Sequence, residues 1–442
     1  MIQLILDEIK NVVKQKMTWF IVGVICILSF YLVYDLNNKS KEFENDLPVQ
    51  VQNQIQTTMN DITIIDIGIK TGHIGNQEIN QTNALEYKET LNLLLESLNR
   101  KEIALNNQDW ETYHKEQLFY DYWYLSNIVY DIDQLKNQKL IDESSEFYQL
   151  QTEVKNQLNY PKLVFSSDGI SNVLRDYKYL LKNRLMYSYQ IVQNEVYTQP
   201  VNRYTINGST FIYQFLSQYW FVLLVLQLLL ITDRIDKHKS FAKFIVSLVN
   251  SFVILILPIV LISFILFLFN GFNQLNLPVL TNSVGLVSSQ GIQNNLKNDF
   301  LGYGGNFSIG LSYFSSYPQG SGEMHPYLSF IGLIEFYGFV GLLIIFNTLF
   351  ITSFISFITK VIKQRKFVYF VVLSISVLGV LLTLVDPNYN ILRFNPFGGF
   401  DVILVNGGSS KITLLHMLIM LNTSIVILLL LSQYLFRKSS NS

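Results

Sequence analysis

The sequence predicts an all-α membrane protein. Six transmembrane helices follow an interfacial N-terminal helix, and a mainly helical extracellular domain separates the first span from the second. Three observations predict this. Of 442 residues, 50% are hydrophobic and only 15% charged, well below the roughly 25% charged of soluble domains. The charges are partitioned: residues 37–210 hold 16 basic and 23 acidic side chains, the rest of the chain 16 basic and 10 acidic. Finally, apolar runs close to the roughly 20 residues that carry a helix across a bilayer recur along the chain.

Residues 1–16 read as an amphipathic helix. Ile2, Ile5, Leu6, Ile9, Val12 and Val13 share one face, and Asp7, Glu8, Lys10, Asn11 and Lys14 the other. A helix of this kind before a span lies in the interface plane. The first transmembrane segment occupies 17–36, its Met17–Tyr34 stretch being uncharged. It ends without a small-x-small cleavage site and is expected to be retained as an anchor.

Residues 37–210 are long enough to bury their own core. Stripes at helical spacing run through Phe43, Leu47, Val51 and Ile55; Leu91, Leu94, Leu95 and Leu98; Leu118, Tyr122, Leu125, Val129 and Ile132; and Ile170, Val173, Leu174, Tyr177 and Leu181. Between the first two, Asp61–Gly75 is rich in isoleucine and reads as a short strand or hairpin. The run Phe119-Tyr120-Asp121-Tyr122-Trp123-Tyr124 reads as aromatic core with polar tips.

Residues 211–442 form the main transmembrane domain, with spans at 211–232, 244–269, 327–359, 367–385 and 412–436. The ends and loops at 1–16, 233–243, 360–366 and 437–442 carry 13 Lys and Arg, against 3 in 270–326 and 386–411. The positive-inside bias then places both termini in the cytoplasm and 37–210 outside a plasma membrane. The loop 233–243 is short and charged with both signs: Asp233, Arg234, Asp236, Lys237 and His238 open it. Taken alone, it reads as a solvated hairpin whose lysines meet headgroups, or as a dock for a cytoplasmic partner. The outer segment 386–411, with Asn395-Pro396-Phe397-Gly398-Gly399-Phe400, reads as a half-buried hairpin between two breaks that lines the outer end of a pathway, or as an ordinary surface loop. Such backbone is tolerated at membrane depth only where protein or a water cavity satisfies it.

Polar side chains within spans are the candidate pathway. Glu335 is the only carboxylate well inside one; it serves either as a gate or as a structural partner to His416 or a tyrosine hydroxyl. Gln214, Gln218 and Gln227 stand at i, i+4 and i+13, read as nearly one face that makes interhelical hydrogen bonds or lines a route. Asn250, Asn347 and Asn422 read as helix–helix contacts.

The exclusions are equally definite. One cysteine, Cys26, leaves no disulfide and no Cys-ligated metal site, and five scattered histidines form no ligand pair, so no metal is expected. A net charge of −1 gives no footprint for nucleic acid. Gly302-Tyr303-Gly304-Gly305 lacks the Lys-Ser/Thr of a phosphate loop, and no catalytic motif appears, so the chain is not expected to be an enzyme.

The layout resembles the ABC type-2 permease family, the membrane subunits of type V ABC exporters. The likeness rests on the interfacial helix 1–16, six spans with both ends inside, the charged loop 233–243 and the Pro/Gly-punctuated hairpin 386–411. An outer insertion after span one and the absence of an ATPase motif complete it. The resemblance covers nearly the whole chain as architecture, and the 270–326 loop is longer than is usual there. It implies a coupling role for 233–243 against a separate cytoplasmic ABC ATPase that binds ATP and Mg. It also implies a second permease subunit, no cofactor in this chain, and movement driven by nucleotide. Because the spans carry almost no fixed charge, an amphipathic or lipid-like cargo such as an antimicrobial peptide fits better than an ion. The alternative is a non-transporting membrane scaffold or receptor-like protein that acts through its extracellular domain.

Overall fold

The computed structural model describes residues 15–74, 77–78, 80–128, 146–158, 163, 175–201, 205–235, 241–281, 329–362, 364–385, 394–406 and 414–440. The expected interfacial helix therefore lies outside the described residues, as do most of 270–326 and both ends of 386–411. So do Val129, Ile132, Ile170, Val173 and Leu174 of the expected stripes.

The first helix, α1, runs Lys16–Thr71 for 56 residues, about 84 Å at 1.5 Å per residue. It crosses the boundary expected at 36/37 without a break. Its first half is apolar all round. Thr18, Ile21, Ile25, Ser29, Leu32 and Leu36 are buried, while Trp19, Phe20, Ile27, Phe30, Tyr31 and Tyr34 face outward. A helix apolar on both its packed and its open face suits lipid rather than water. Its second half carries charge, and only one face remains buried, through Leu47, Val51 and Thr58.

The strand or hairpin expected over 61–75 is overturned for most of its length. The helix continues through Thr71, and only His73–Ile74 (β1) pairs with Gln77–Glu78 (β2). β-branched residues lower helix propensity only slightly, and tertiary burial outweighs it: Ile55, Ile62 and Ile65 fall at helical spacing and pack on the domain core. Gly72 ends the helix in the left-handed region at φ 77°, its N–H donating to the Gly68 carbonyl at 2.8 Å.

The domain continues with α2 (Gln81–Asn107), α3 (Trp110–Ile128), α4 (Glu146–Leu158) and α5 (Arg175–Gln193). Asn80 caps α2 by accepting from the N–H groups of Thr82 and Asn83. α2 packs on α1, α3 on α2, and α5 on α3. Leu91, Leu94, Leu98, Leu118, Phe119, Tyr122, Trp123, Leu125, Leu150 and Val154 form one buried cluster, so the aromatic run is core.

The apolar bundle comprises the first half of α1 with α6 (Gly208–Ile235), α7 (Phe241–Asn270), α8 (Leu333–Val361), α9 (Arg365–Val385) and α11 (Leu414–Ser440); α10 is the short helix Val402–Asn406. Among the described residues five helices, α1, α6, α7, α8 and α11, are long and apolar enough to cross a membrane; in α9 the apolar stretch Lys366–Leu382 is shorter. Outward faces are lined by residues such as Leu257, Leu261, Phe264 and Leu268 on α7 and Phe370, Leu378 and Leu382 on α9. α7 continues through Pro258.

The fourth apolar segment, expected from 327, becomes helical only at Leu333. Ser329–Gly332 (β4) pairs antiparallel with Pro278–Thr281 (β3), Val279 opposite Ile331. The Leu333 N–H donates to the Leu277 carbonyl at 3.0 Å, tying the start of α8 to this small sheet.

Candidate functional site

Where α6, α7 and α8 meet the segment between α9 and α11, the bundle encloses a cavity. The approach begins at the top of α6. Asn207 caps that helix, its Oδ1 accepting from the Thr210 N–H at 2.7 Å. Tyr337 of α8 donates its hydroxyl to the Ser209 carbonyl at 2.5 Å, and Ser263 of α7 donates to the Gly208 carbonyl at 2.9 Å. The three helices are thus pinned together at the domain side.

Of the segment between α9 and α11, residues 394–406 are described. Residues 396–400 form a 3-10 turn, capped by the Asn395 side chain accepting from the Phe397 N–H at 3.1 Å, and α10 follows. The turn is wedged among α6, α8, α9 and α11, and α10 packs on α6 and α8. Asn395 Nδ2 donates to the Gly379 carbonyl of α9 at 2.5 Å, and Asn347 Nδ2 donates to the Gly399 carbonyl at 2.6 Å. Asn347 lies 14 residues into α8, about 21 Å along its axis, so the turn reaches deep among the helices. Phe397 rests against Gly379, where any Cβ would strike its ring, and a Cβ on Gly399 would come within 2.8 Å of Met417 Sδ. The irregular backbone is satisfied by protein, as hydrocarbon requires.

The cavity measures about 50 Å³ and is lined by Leu216, Trp220, Leu223, Leu224, Gln227, Phe252, Leu255, Ile256, Ile344, Asn347, Thr348, Phe400 and Val402. Polar side chains come to it from Gln227 of α6 and from Asn347 and Thr348 of α8. Gln227 Nε2 donates to Thr348 Oγ1 at 2.7 Å, and Thr348 in turn donates to the Ile344 carbonyl at 2.8 Å. Among the described residues, none that lines it is charged.

The candidate residues do not all converge here. Gln227 does, but Gln214 and Gln218 do not, and the single face expected of the three is overturned. Gln218 Nε2 donates to Gln214 Oε1 at 3.0 Å, while Gln227 bonds to α8. The reason is angular: the step of 13 positions from Gln214 to Gln227 turns a helix by about 220°, toward its opposite side. Glu335 is in the first turn of α8 and exposed, not well inside the span; a carboxylate there meets the positive end of the helix dipole. His416 is half-buried on α11, its ring 6.3 Å from that of Phe394. Asp233 and Arg234 fall on the last turn of α6, whereas Asp236, Lys237 and His238 lie outside the described residues.

Asn347 does form a contact between elements, and Asn250 is buried, but Asn422 is exposed. Thr348 went unnoticed in the sequence because one threonine in an apolar helix looks ordinary; its partner across the bundle is what marks it.

The domain holds buried charge instead. Lys101 Nζ sits 5.3 and 5.4 Å from the ring centroids of Tyr113 and Tyr120 and donates to Gln54 Oε1 of α1 at 3.0 Å. Burial pushes its ammonium down to about 7, against the opposing pull of the Asp121 charge. Asp121 accepts from Arg184 Nε at 2.6 Å, from Ser188 Oγ at 2.6 Å and from Gln117 Nε2 at 2.7 Å. His114 Nε2 donates to the Thr198 carbonyl at 2.7 Å, and burial lowers the imidazole to about 4.

Among the described residues no group of three His, Cys, Asp or Glu is placed to hold a metal ion. Compared with protein-family models, curated proteins and solved structures, the chain matches none of them.

Proposed function

We propose that this chain is the permease subunit of an ATP-driven ABC exporter and moves an amphipathic or lipid-like cargo out of a Gram-positive-type cell. The observation that carries the proposal is the broken segment 394–406, wedged deep among α6, α8, α9 and α11 and held by Asn347 and Asn395. A scaffold that only presents an outer domain gains nothing from irregular backbone inserted into its apolar bundle. A protein that alternates between two packings does, because such a wedge offers a second arrangement without unfolding a helix.

In this reading both termini and the 233–243 connection face the cytoplasm. The connection engages a separate ATPase subunit, which binds the nucleotide and its magnesium, and a second permease subunit, the same chain or another, completes the pathway. α6 and α7 pack on each other along the bundle. A push delivered at Asp233 and Arg234 is therefore transmitted along α6 toward Gln227, which lies 6 residues from Asp233. The chain's own part is to supply the two packings and their gate.

The test is copurification. Full-length protein extracted in mild detergent from its native membrane is expected to bring down a subunit with a P-loop and ATPase activity. Replacing Asp233 and Arg234 by alanine is expected to release that subunit while the permease remains folded. Recovery without any nucleotidase, before and after cross-linking, sinks the exporter reading and leaves the scaffold or receptor-like alternative.

A further inference from the structure

The rim of the cavity is apolar. Trp220, Leu223, Phe252, Ile256 and Ile344 are the half-buried residues of its lining. Four of them are each followed in the chain by an exposed apolar side chain: Phe221, Val253, Leu257 and Ile345. The rim therefore borders outward faces of α6, α7 and α8, and all three helices are long and apolar enough to cross a membrane. Apolar outward faces on such helices meet hydrocarbon. The depth is set by Glu335, an exposed carboxylate that stays out of hydrocarbon. Ile344 lies 9 residues beyond it, about 14 Å along α8, and half of a bilayer's hydrocarbon core is about 15 Å. The rim thus sits near the midplane, where the chains of the two leaflets end.

Behind the rim, polar side chains are turned to protein. Gln227 Nε2 donates to Thr348 Oγ1, and Thr348 to the Ile344 carbonyl. Asn347 uses its Nδ2 on the Gly399 carbonyl, and its Oδ1 presents almost no surface. An apolar guest breaks none of these bonds, whereas a charged one meets no counter-charge among the described lining residues. The cavity's roughly 50 Å³ exceeds the ~30 Å³ share of one liquid water but falls short of the ~150 Å³ that accommodates benzene. It admits the last carbons of an unbranched chain and excludes a ring or a branched end. With the open mouth included, free space between the lining atoms reaches about 490 Å³, which leaves room for the carbons behind.

We propose that this cavity holds the methyl end of an unbranched acyl chain belonging to a phospholipid of the surrounding bilayer. The chain enters past Trp220, Phe252 and Ile344 and lies against Leu223. It fills a void whose walls otherwise lack contacts on one side, so the occupied bundle is the more stable one. A phospholipid is the occupant because its chain ends are already at this depth. Occupancy needs no ATPase.

Trp220 supplies the readout. Full-length protein carrying Trp19→Phe, which removes an outward-facing indole from the bundle, is reconstituted in nanodiscs of phosphatidylcholine with methyl-branched chains, which the cavity excludes. Trp110 and Trp123 belong to the helical domain. Straight-chain phosphatidylcholine with a bromine atom at the chain end is then titrated in. Quenching of Trp220 is expected to saturate at a low fraction of brominated lipid, and unbrominated straight-chain lipid is expected to relieve it. Leu223→Phe narrows the mouth and is expected to leave only quenching proportional to the brominated fraction. Leu223→Ala widens it and keeps the test decisive if the larger side chain prevents folding: a phenyl-ended chain is expected to compete in this variant and not in its parent. Quenching merely proportional to brominated lipid in the parent overturns the proposal and leaves a void for water. So does saturable quenching indifferent to both substitutions. Relief by a cationic amphipathic peptide but not by straight-chain lipid overturns it too, and assigns the cavity to a free amphiphile.

Discussion

The apolar bundle and the helical domain bury polar groups in opposite ways. The domain buries ions. Asp121 is held by Arg184, Ser188 and Gln117, and Glu116 accepts from Arg100 and Ser97. The bundle buries neutral groups, Gln227 on Thr348 and Asn347 on Gly399, with the half-buried Asn395 on Gly379. The difference teaches how solvent selects chemistry. A domain surrounded by water can bury an ion pair whose desolvation is recovered by close contacts and extra hydrogen bonds. A helix in hydrocarbon has no nearby water to share that cost, so amides and hydroxyls join its elements and charges stay at its ends. Glu335, exposed at the start of α8, follows the same rule.

The comparison is broken most directly at Asp121. Asp121→Asn leaves the half-buried Arg184 without its counter-ion, and because loss of one partner of a fully buried pair costs about 3–5 kcal/mol, the loss here is expected at or below about 3 kcal/mol. Amide hydrogen exchange along α3 and α5 is expected to accelerate accordingly while the helices of the bundle keep their protection. Exchange that rises equally in both regions counts against treating them as separate in their energetics.

A gentler probe is pH. Lys101 is lowered from 10.5 to about 7, so between those values the folded domain holds it neutral while the unfolded chain binds a proton. The unfolded state binds more protons in that window, and stability therefore rises with pH across it. His114, lowered from 6.5 to about 4, gives the same sign between those values. Domain exchange rates corrected for intrinsic chemistry are expected to fall across both windows. Lys101→Met is expected to remove the upper slope and keep the lower one; an upper slope that survives assigns it to another group.

The smallest effect belongs to the bundle. A double-mutant cycle of Gln227→Leu and Thr348→Val is expected to give a coupling near 0.6 kcal/mol and no more than about 1.7 kcal/mol, the range of interhelical hydrogen bonds in membranes. Unfolding in mixed micelles measures it. A coupling that matches the Asp121 effect erases the proposed contrast between the two media.

Apolar runs, charge partition and the 3.6-residue stripes made the helices legible, because those signals reflect local geometry and solvent. Leu91, Leu94 and Leu98 sit in the domain core as their spacing requires. The isoleucines of 61–71 misled because β-branching signals strand, whereas burial of Ile62 and Ile65 against α2–α5 keeps them helical. The cavity was only partly legible. Gln227 and Asn347 stood out as polar residues in apolar helices, but their neighbours lie far off in the chain: Thr348 is 121 residues from Gln227, and Gly399 is 52 from Asn347.

The sequence by itself determined that this protein has an apolar helical part and a charged helical part, because hydropathy and periodicity are summed over neighbouring residues. Only the tertiary structure decided that one helix joins the two, that the turn at 396–400 inserts among α6, α8, α9 and α11, and that Gln227 of α6 meets Thr348 of α8. Those facts depend on which distant backbone groups need partners, and hydrogen bonds between separate helices leave no periodic mark on either one.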